Sequence, residues 1–227
     1  MERIPALRSL DELEFGSPVV FLTGENGSGK STLLEAIAVA CGFNPEGGTR
    51  NFHFATRETH SPLGEYLTIG RKRYPRDGFF LRAESVYNAA SYIDELDEQK
   101  TAAPPIIQSY GGVSLHRQSH GESFLAMVQN RFGGNGLYLL DEPEAALSPM
   151  RQLVLLRELQ RLVQNNSQLI IATHSPMLIA FPDAQVLLFS QDGIHPVDYR
   201  QTDHYCVMRR FLDDPTSMLQ RLLGKDE

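Results

Sequence analysis

The feature that most restricts this chain is a glycine loop set between an apolar run and a helical pattern. Pro18 to Thr23 reads PVVFLT, short and β-branched, as a strand buried on both faces does. Gly24-Glu25-Asn26-Gly27-Ser28-Gly29-Lys30-Ser31 follows with the spacing G-x-x-x-x-G-K-[ST]. Thr32 to Ala40 then places Leu33, Leu34, Ile37 and Ala38 on one helical face, closed by Gly42. In such a loop successive backbone N–H groups turn toward one anion and the helix dipole adds to them. Lys30 brings a point charge and Ser31 offers a hydroxyl to Mg²⁺. Gly24, Glu25, Asn26, Gly27, Ser28, Gly29, Lys30, Ser31 and Thr32 are therefore the expected polyphosphate cradle.

Three further stretches carry chemistry. Leu137-Tyr138-Leu139-Leu140-Asp141-Glu142-Pro143 ends an apolar strand on two adjacent carboxylates, at the strand end where open α/β sheets bind ligands. Asp141 is expected to hold Mg²⁺, directly or through water, and Glu142 to orient and polarise an attacking water. At Thr173-His174-Ser175 a second apolar strand stops on a histidine, whose neutral imidazole can hydrogen-bond a γ-phosphate or that water. Ser119 with Glu122 forms a capping box that opens a helix. The same helix start, with Ser119 and the N–H of Gly121 exposed, is expected to meet the γ-phosphate of a nucleotide held by another subunit. His53, His60 and His116 have no regular ligand spacing and read as surface or structural residues.

The order of elements points to one α/β domain. Strand Leu137 to Leu140, helix Arg151 to Gln164 and strand Leu169 to Thr173 give a βαβ rhythm and hence a mostly parallel sheet flanked by helices. Val186 to Phe189 and Ile194 to Val197 flank Asp192-Gly193 as a hairpin, and Asp203 to Leu223 reads as helical. Residues 1–50 are read as the glycine-loop lobe, 51–132 as an inserted subdomain with the helix Gly121 to Phe132, 133–200 as the core and 201–227 as terminal helices. Within the insertion, Tyr66 to Ile69 and Phe79 to Leu81 look strand-like, and an acidic stretch runs from Asp94 to Glu98. No sustained heptads lie between Ser31 and Ser119, so no long coiled-coil arm is expected.

Charge and cysteine usage narrow the function classes. With 28 acidic and 21 basic residues the formal net charge is −7, which argues against a surface that holds a polyanion over its whole area. It leaves a local basic cluster at Arg71, Lys72, Arg73 and Arg76. The two cysteines, Cys41 and Cys206, suggest neither a disulfide framework nor a zinc site. Met1 to Leu10 lacks the apolar run of a signal peptide, and the most apolar stretch, Leu169 to Phe181, is broken by Thr173, His174, Ser175 and Pro176. A cytoplasmic chain without membrane insertion is expected.

GENGSGKST, QSHGES, LYLLDEPEAALSP and IIATHSP occur in the order Walker A, signature, Walker B with its D-loop, and switch histidine. That series resembles the ABC-type P-loop ATPase heads, and more closely the small stand-alone bacterial ATPases labelled AAA family, relatives of the RecF and SMC heads. The resemblance implies ATP and Mg²⁺ binding, ATP hydrolysis, and a head-to-tail homodimer in which each Walker A loop is completed by the second copy's signature helix. It assigns Lys30, Ser31 and Asp141 to nucleotide and Mg²⁺, Glu142 to the base, His174 to the switch, and Ser119 and Gly121 to the contacts across the dimer. His120 and Glu122 depart from the usual Gly and Gln, and a glutamate there can fold back onto the Ser119 N–H. Ser148 stands where many such heads carry a D-loop Asp, and Phe79-Phe80-Leu81 ends at Arg82, Ala83 and Glu84 without a Q-loop glutamine. The process driven by ATP is open among DNA-linked or defence-linked work, a transporter's nucleotide-binding subunit, and a nucleotide-gated interaction module with slow turnover.

Overall fold

The computed structural model describes residues 4–8, 10–50, 62–98 and 104–224. Among the described residues a six-stranded sheet has the order β2-β3-β4-β1-β5-β6. Its strands are β1 (Val19–Gly24), β2 (Asp77–Arg82), β3 (Gly136–Asp141), β4 (Gln168–Ala172), β5 (Gln185–Ser190) and β6 (Gly193–Pro196). All pairings are parallel except β5 with β6, the expected hairpin. The register sets Arg82 beside Asp141, Asp141 beside Ala172, and Ala172 beside Leu22. The carboxyl ends of four strands therefore lie level along one edge.

Alternation along the strands explains two apolar layers. Val19 and Phe21 of β1 pack with Phe79, Tyr138, Leu140, Leu169 and Ile171, while Val20 and Leu22 pack with Phe80, Leu139, Ile170 and Ala172 on the other face. The second face is covered by α1 (Lys30–Ala40), through Leu33, Leu34 and Ile37. The first is covered by α2 (Val86–Glu98), α3 (His120–Ala126) and α4 (Pro149–Gln164), with Phe124, Leu155, Leu159 and Leu162 buried. The short α5 (Pro176–Ile179) follows β4, and α6 (Asp203–Asp213) and α7 (Pro215–Leu223) end the described chain.

Several sequence expectations change. Tyr66 to Ile69 is no strand: a 3₁₀ turn covers Pro62–Tyr66, and Leu67 and Ile69 pack singly against the α1 side of the core. Helix α1 begins at Lys30, two residues before Thr32, because Leu33 N already donates to Gly29 O. The helix expected from Gly121 to Phe132 starts at His120 and widens to a π turn over Met127–Arg131. The acidic run Asp94 to Glu98 is the end of α2, an amphipathic helix burying Val86, Ala89, Ala90 and Ile93. Strand β2, inside the stretch read as an insertion, pairs with β3 and belongs to the central sheet. His116 is structural, its ring edge-on to Tyr87 and within 3.1 Å of Ser91 Oγ, whereas His53 and His60 lie outside the described residues. The cluster Arg71, Lys72, Arg73 and Arg76 is exposed.

Candidate functional site

The glycine loop leaves β1 through Gly24, Gly27 and Gly29, all with positive φ. A Cβ on Gly24 would stand 2.4 Å from the Phe189 carbonyl oxygen, so only glycine lets the loop turn this close to β5. Lys30 is buried at the start of α1, and its Nζ donates to Gly24 O at 2.9 Å and Glu25 O at 2.8 Å. Burial lowers its pKa, while Glu142 and Asp141 act to raise it. The ammonium thus spans the loop from within.

Ser31, one residue on, donates its hydroxyl to Asp141 Oδ1 at 2.8 Å. Two hard oxygens at that separation match the edge of an octahedral shell of about 3 Å that Mg²⁺ demands, so these residues fit the ion. Asp141 is 6% exposed, and burial pushes its carboxyl up to about 6 against the pull of Ser31 and Arg82. Arg82 ends β2 level with it, its Nε 3.4 Å from Asp141 Oδ2 and its Nη atoms on Glu35 and Glu84. This arginine stands at the strand end that lacks a Q-loop glutamine. Ser31, Arg82, Asp141 and Glu142 line a pocket of about 160 Å³.

Glu142 adopts φ 48° and ψ 52°, a left-handed conformation that costs a non-glycine residue about 1–3 kcal/mol. Its N–H remains tied to Ala172 O at 2.9 Å, and the turn sets the carboxylate across the cleft, Oε1 3.8 Å from His174 Nε2. His174 sits beyond β4 because Glu144, two residues past Glu142, accepts from Thr173 Oγ1 at 2.7 Å and from the His174 N–H. Burial, then the neighbouring Lys30 and His204, hold its imidazole below the usual pKa, hence neutral near pH 7. Ser175 donates to Gln152 Oε1 at 2.6 Å, and Gln152 donates onward to Leu147 O at 3.1 Å, linking this loop to the D-loop before Ser148. Glu25, Asn26, Gly27, Glu142, Glu144, His174 and His204 enclose a cleft of about 600 Å³.

The signature corner differs from expectation. Ser119 is exposed, but Gly121 is buried, with Ala146 O only 2.6 Å and Arg151 Nη1 only 2.7 Å from where a Cβ would stand. The exposed glycine amide read from sequence is therefore absent, because the turn at Ala146 and the Arg151 side chain of α4 press on the start of α3 there. Glu122 folds back onto the Ser119 N–H at 2.9 Å and accepts from its hydroxyl, which lowers its pKa. Arg151 reaches both, Nη1 to Ser119 Oγ at 3.1 Å and Nη2 to Glu122 Oε1 at 2.9 Å.

Known families and relatives agree with the motif order. The family described as AAA domain matches residues 3–103, and that described as AAA ATPase domain matches residues 121–179. A putative ABC transporter ATP-binding protein of Caldanaerobacter subterraneus is 28% identical over 199 residues, covering 78% of this chain and 78% of the relative. These matches support an ABC-type P-loop ATPase head. The macrolide export ATP-binding/permease protein MacB of Hahella chejuensis is 26% identical over 217 residues, 85% of this chain and 31% of MacB. The head thus spans about a third of that relative's length. It is also similar to the SMC head domain from Thermotoga maritima, at 16% identity and a TM-score of 0.46, covering 82% of this chain and 92% of that one.

Three members of the site are given no role by the sequence. Arg82 was noted only as a departure, Glu144 carried its signal inside DEPEAALSP, and His204, from the far end of the chain, carried none.

Proposed function

We propose that this head binds Mg-ATP at the glycine loop, hydrolyses it to ADP and phosphate between two copies arranged head to tail, and works in the cytoplasm. One observation carries the reading: Lys30, Ser31, Asp141, Glu142 and His174, from separate strand ends, converge on one edge of the sheet. The backbone amides of Gly24 to Ser31 hold the phosphates, and Lys30 exchanges its two carbonyl partners for phosphate oxygens. Ser31 and Asp141 would hold Mg²⁺, which would supply positive charge against the phosphates. Glu142 takes the proton of the attacking water as that oxygen bonds to the γ-phosphorus and the bond to the β-phosphate bridge breaks. His174 faces the γ-phosphate from the opposite wall. The outer side of that phosphate is left for Ser119 and its helix start in the second copy.

Phosphate release by the purified chain tests the chemistry. Glu142→Gln keeps ATP binding yet lowers turnover about 100-fold or more, since an amide cannot accept the proton. Unchanged release in that variant removes Glu142 as the base.

A second reading of the process is favoured by the relatives' names, which are those of transporter ATP-binding proteins: the head powers a membrane partner. Among the described residues no helix is long and apolar enough to cross a membrane, so that partner would be another subunit or segment. Turnover indifferent to added DNA agrees with this reading; stimulation by DNA favours the DNA-linked one.

A further inference from the structure

His204 is the second residue of α6, and its ring approaches His174 edge-on, centroids 4.8 Å apart at 88°. The placement is built, since buried Thr202 caps α6 by accepting from Tyr205 N and anchors itself by donating to Tyr199 O at 2.7 Å. His204 Nε2 lies 3.1 Å from His174 Nδ1 and 3.5 Å from Gly24 O. On the far side of the pair, His174 Nε2 is buried without a hydrogen-bond partner among the described residues and faces Glu142 Oε1 at 3.8 Å.

Both ends impose the same polarity. Gly24 O is only an acceptor, so the nitrogen nearest to it is favoured as N–H. The Glu142 carboxylate is only an acceptor too, and favours a hydrogen on His174 Nε2. A neutral imidazole carries one ring hydrogen, so His174 Nδ1 is then a bare acceptor and suits a donor on His204 Nε2. The reverse chain would set a lone pair against each of the two oxygens.

We propose that His204 is a positioning residue: its Nε2–H donates to His174 Nδ1, fixing the tautomer whose Nε2–H points into the nucleotide cleft. His174 then meets the γ-phosphate as a hydrogen-bond donor while remaining uncharged. The pair ties α6 to the wall bearing Glu142 and keeps the His204 N–H beside Gly24 O, which itself accepts from Lys30. This rests on the reading that His174 serves the γ-phosphate, but the tautomer itself belongs to the chain before nucleotide arrives.

Ring ¹⁵N spectra of the full chain, labelled at histidine and free of nucleotide, test the polarity directly, with His174→Gln identifying the signal. The expected result is a neutral His174 with protonated Nε2 and bare Nδ1. A protonated Nδ1 overturns the proposal, and this readout needs neither a His204 variant nor turnover. His204→Ala should bring the signal toward a mixture of tautomers and lower kcat about ten-fold with little change in KM for ATP. His204→Gln, whose amide can still donate, should recover most of both. A His204→Ala spectrum and kcat like those of the wild type, or a His204→Gln variant as impaired as His204→Ala, would also overturn it. If no variant turns over ATP because the hydrolysis reading itself is wrong, the spectra still decide.

Discussion

The glycine-loop edge and the signature corner are both built from hydrogen-bonded polar side chains, but they are held in different ways. At the first, Lys30 and Asp141 are buried, Lys30 held by carbonyls of its own loop and Asp141 by Ser31 from a distant part of the chain. At the second, Ser119, Glu122 and Arg151 satisfy one another at the surface. Buried groups are preorganised because their alternatives are desolvated and unpaired. Exposed ion pairs exchange readily with water or an arriving anion. The contrast suits a head whose own half of the site is ready before ATP and whose other half is offered to a second copy, with Arg151 and Glu122 rearranging when phosphate comes to Ser119.

Substitutions can break or sharpen that contrast. Lys30→Ala should weaken Mg-ATP binding about 100-fold by titration calorimetry, since the removed ammonium balances phosphate charge the amides alone cannot. Wild-type affinity would show that this loop is not the cradle. Asp141→Asn should raise the Mg²⁺ concentration for half-maximal turnover by about ten-fold, because one charged oxygen donor is lost while the shape is kept. Gly121→Ala places a methyl against the Ala146 carbonyl. Overpacking of about 1–3 kcal/mol outweighs alanine's helix preference of about 1 kcal/mol, so a net loss of about 1 kcal/mol lowers Tm by roughly 2–4 °C. An unchanged Tm would mean that the contact between α3 and the Ala146 turn gives way easily. Glu122→Gln should be mildest, changing turnover less than about three-fold, since the side chain is exposed and an amide still accepts from Ser119. A loss as large as that of Asp141→Asn would place Glu122 in the cleft chemistry and erase the contrast.

Legibility from sequence follows the same division. The glycine loop, the Asp141-Glu142 strand end and the His174 strand end were readable because local spacing and an apolar strand fix where such residues point. Strand β2 was glimpsed at Phe79 to Leu81 but read as part of an insertion, since nothing local tells a strand which neighbour it will pair with. Tyr66 to Ile69 shows the converse: a short β-prone run stayed irregular, held by single side chains rather than a ladder. The burial of Gly121 depends on Arg151 and Ala146, and the role inferred for His204 on a helix at the chain's far end. Both are contacts across long sequence separations that no spacing encodes.

The central claim is that the loop holding nucleotide in one copy is completed by the signature corner of another, and light-scattering chromatography of Glu142→Gln tests it most directly. With Mg-ATP, but not Mg-ADP, this variant should pass from monomer to dimer. Adding Ser119→Arg should block the change while calorimetry still finds ATP bound to the single subunit, because the bulky side chain fills the space kept for phosphate. A double variant that still dimerises with ATP, or a Glu142→Gln chain that stays monomeric with ATP bound, would contradict the account and leave Ser119 as a helix cap alone.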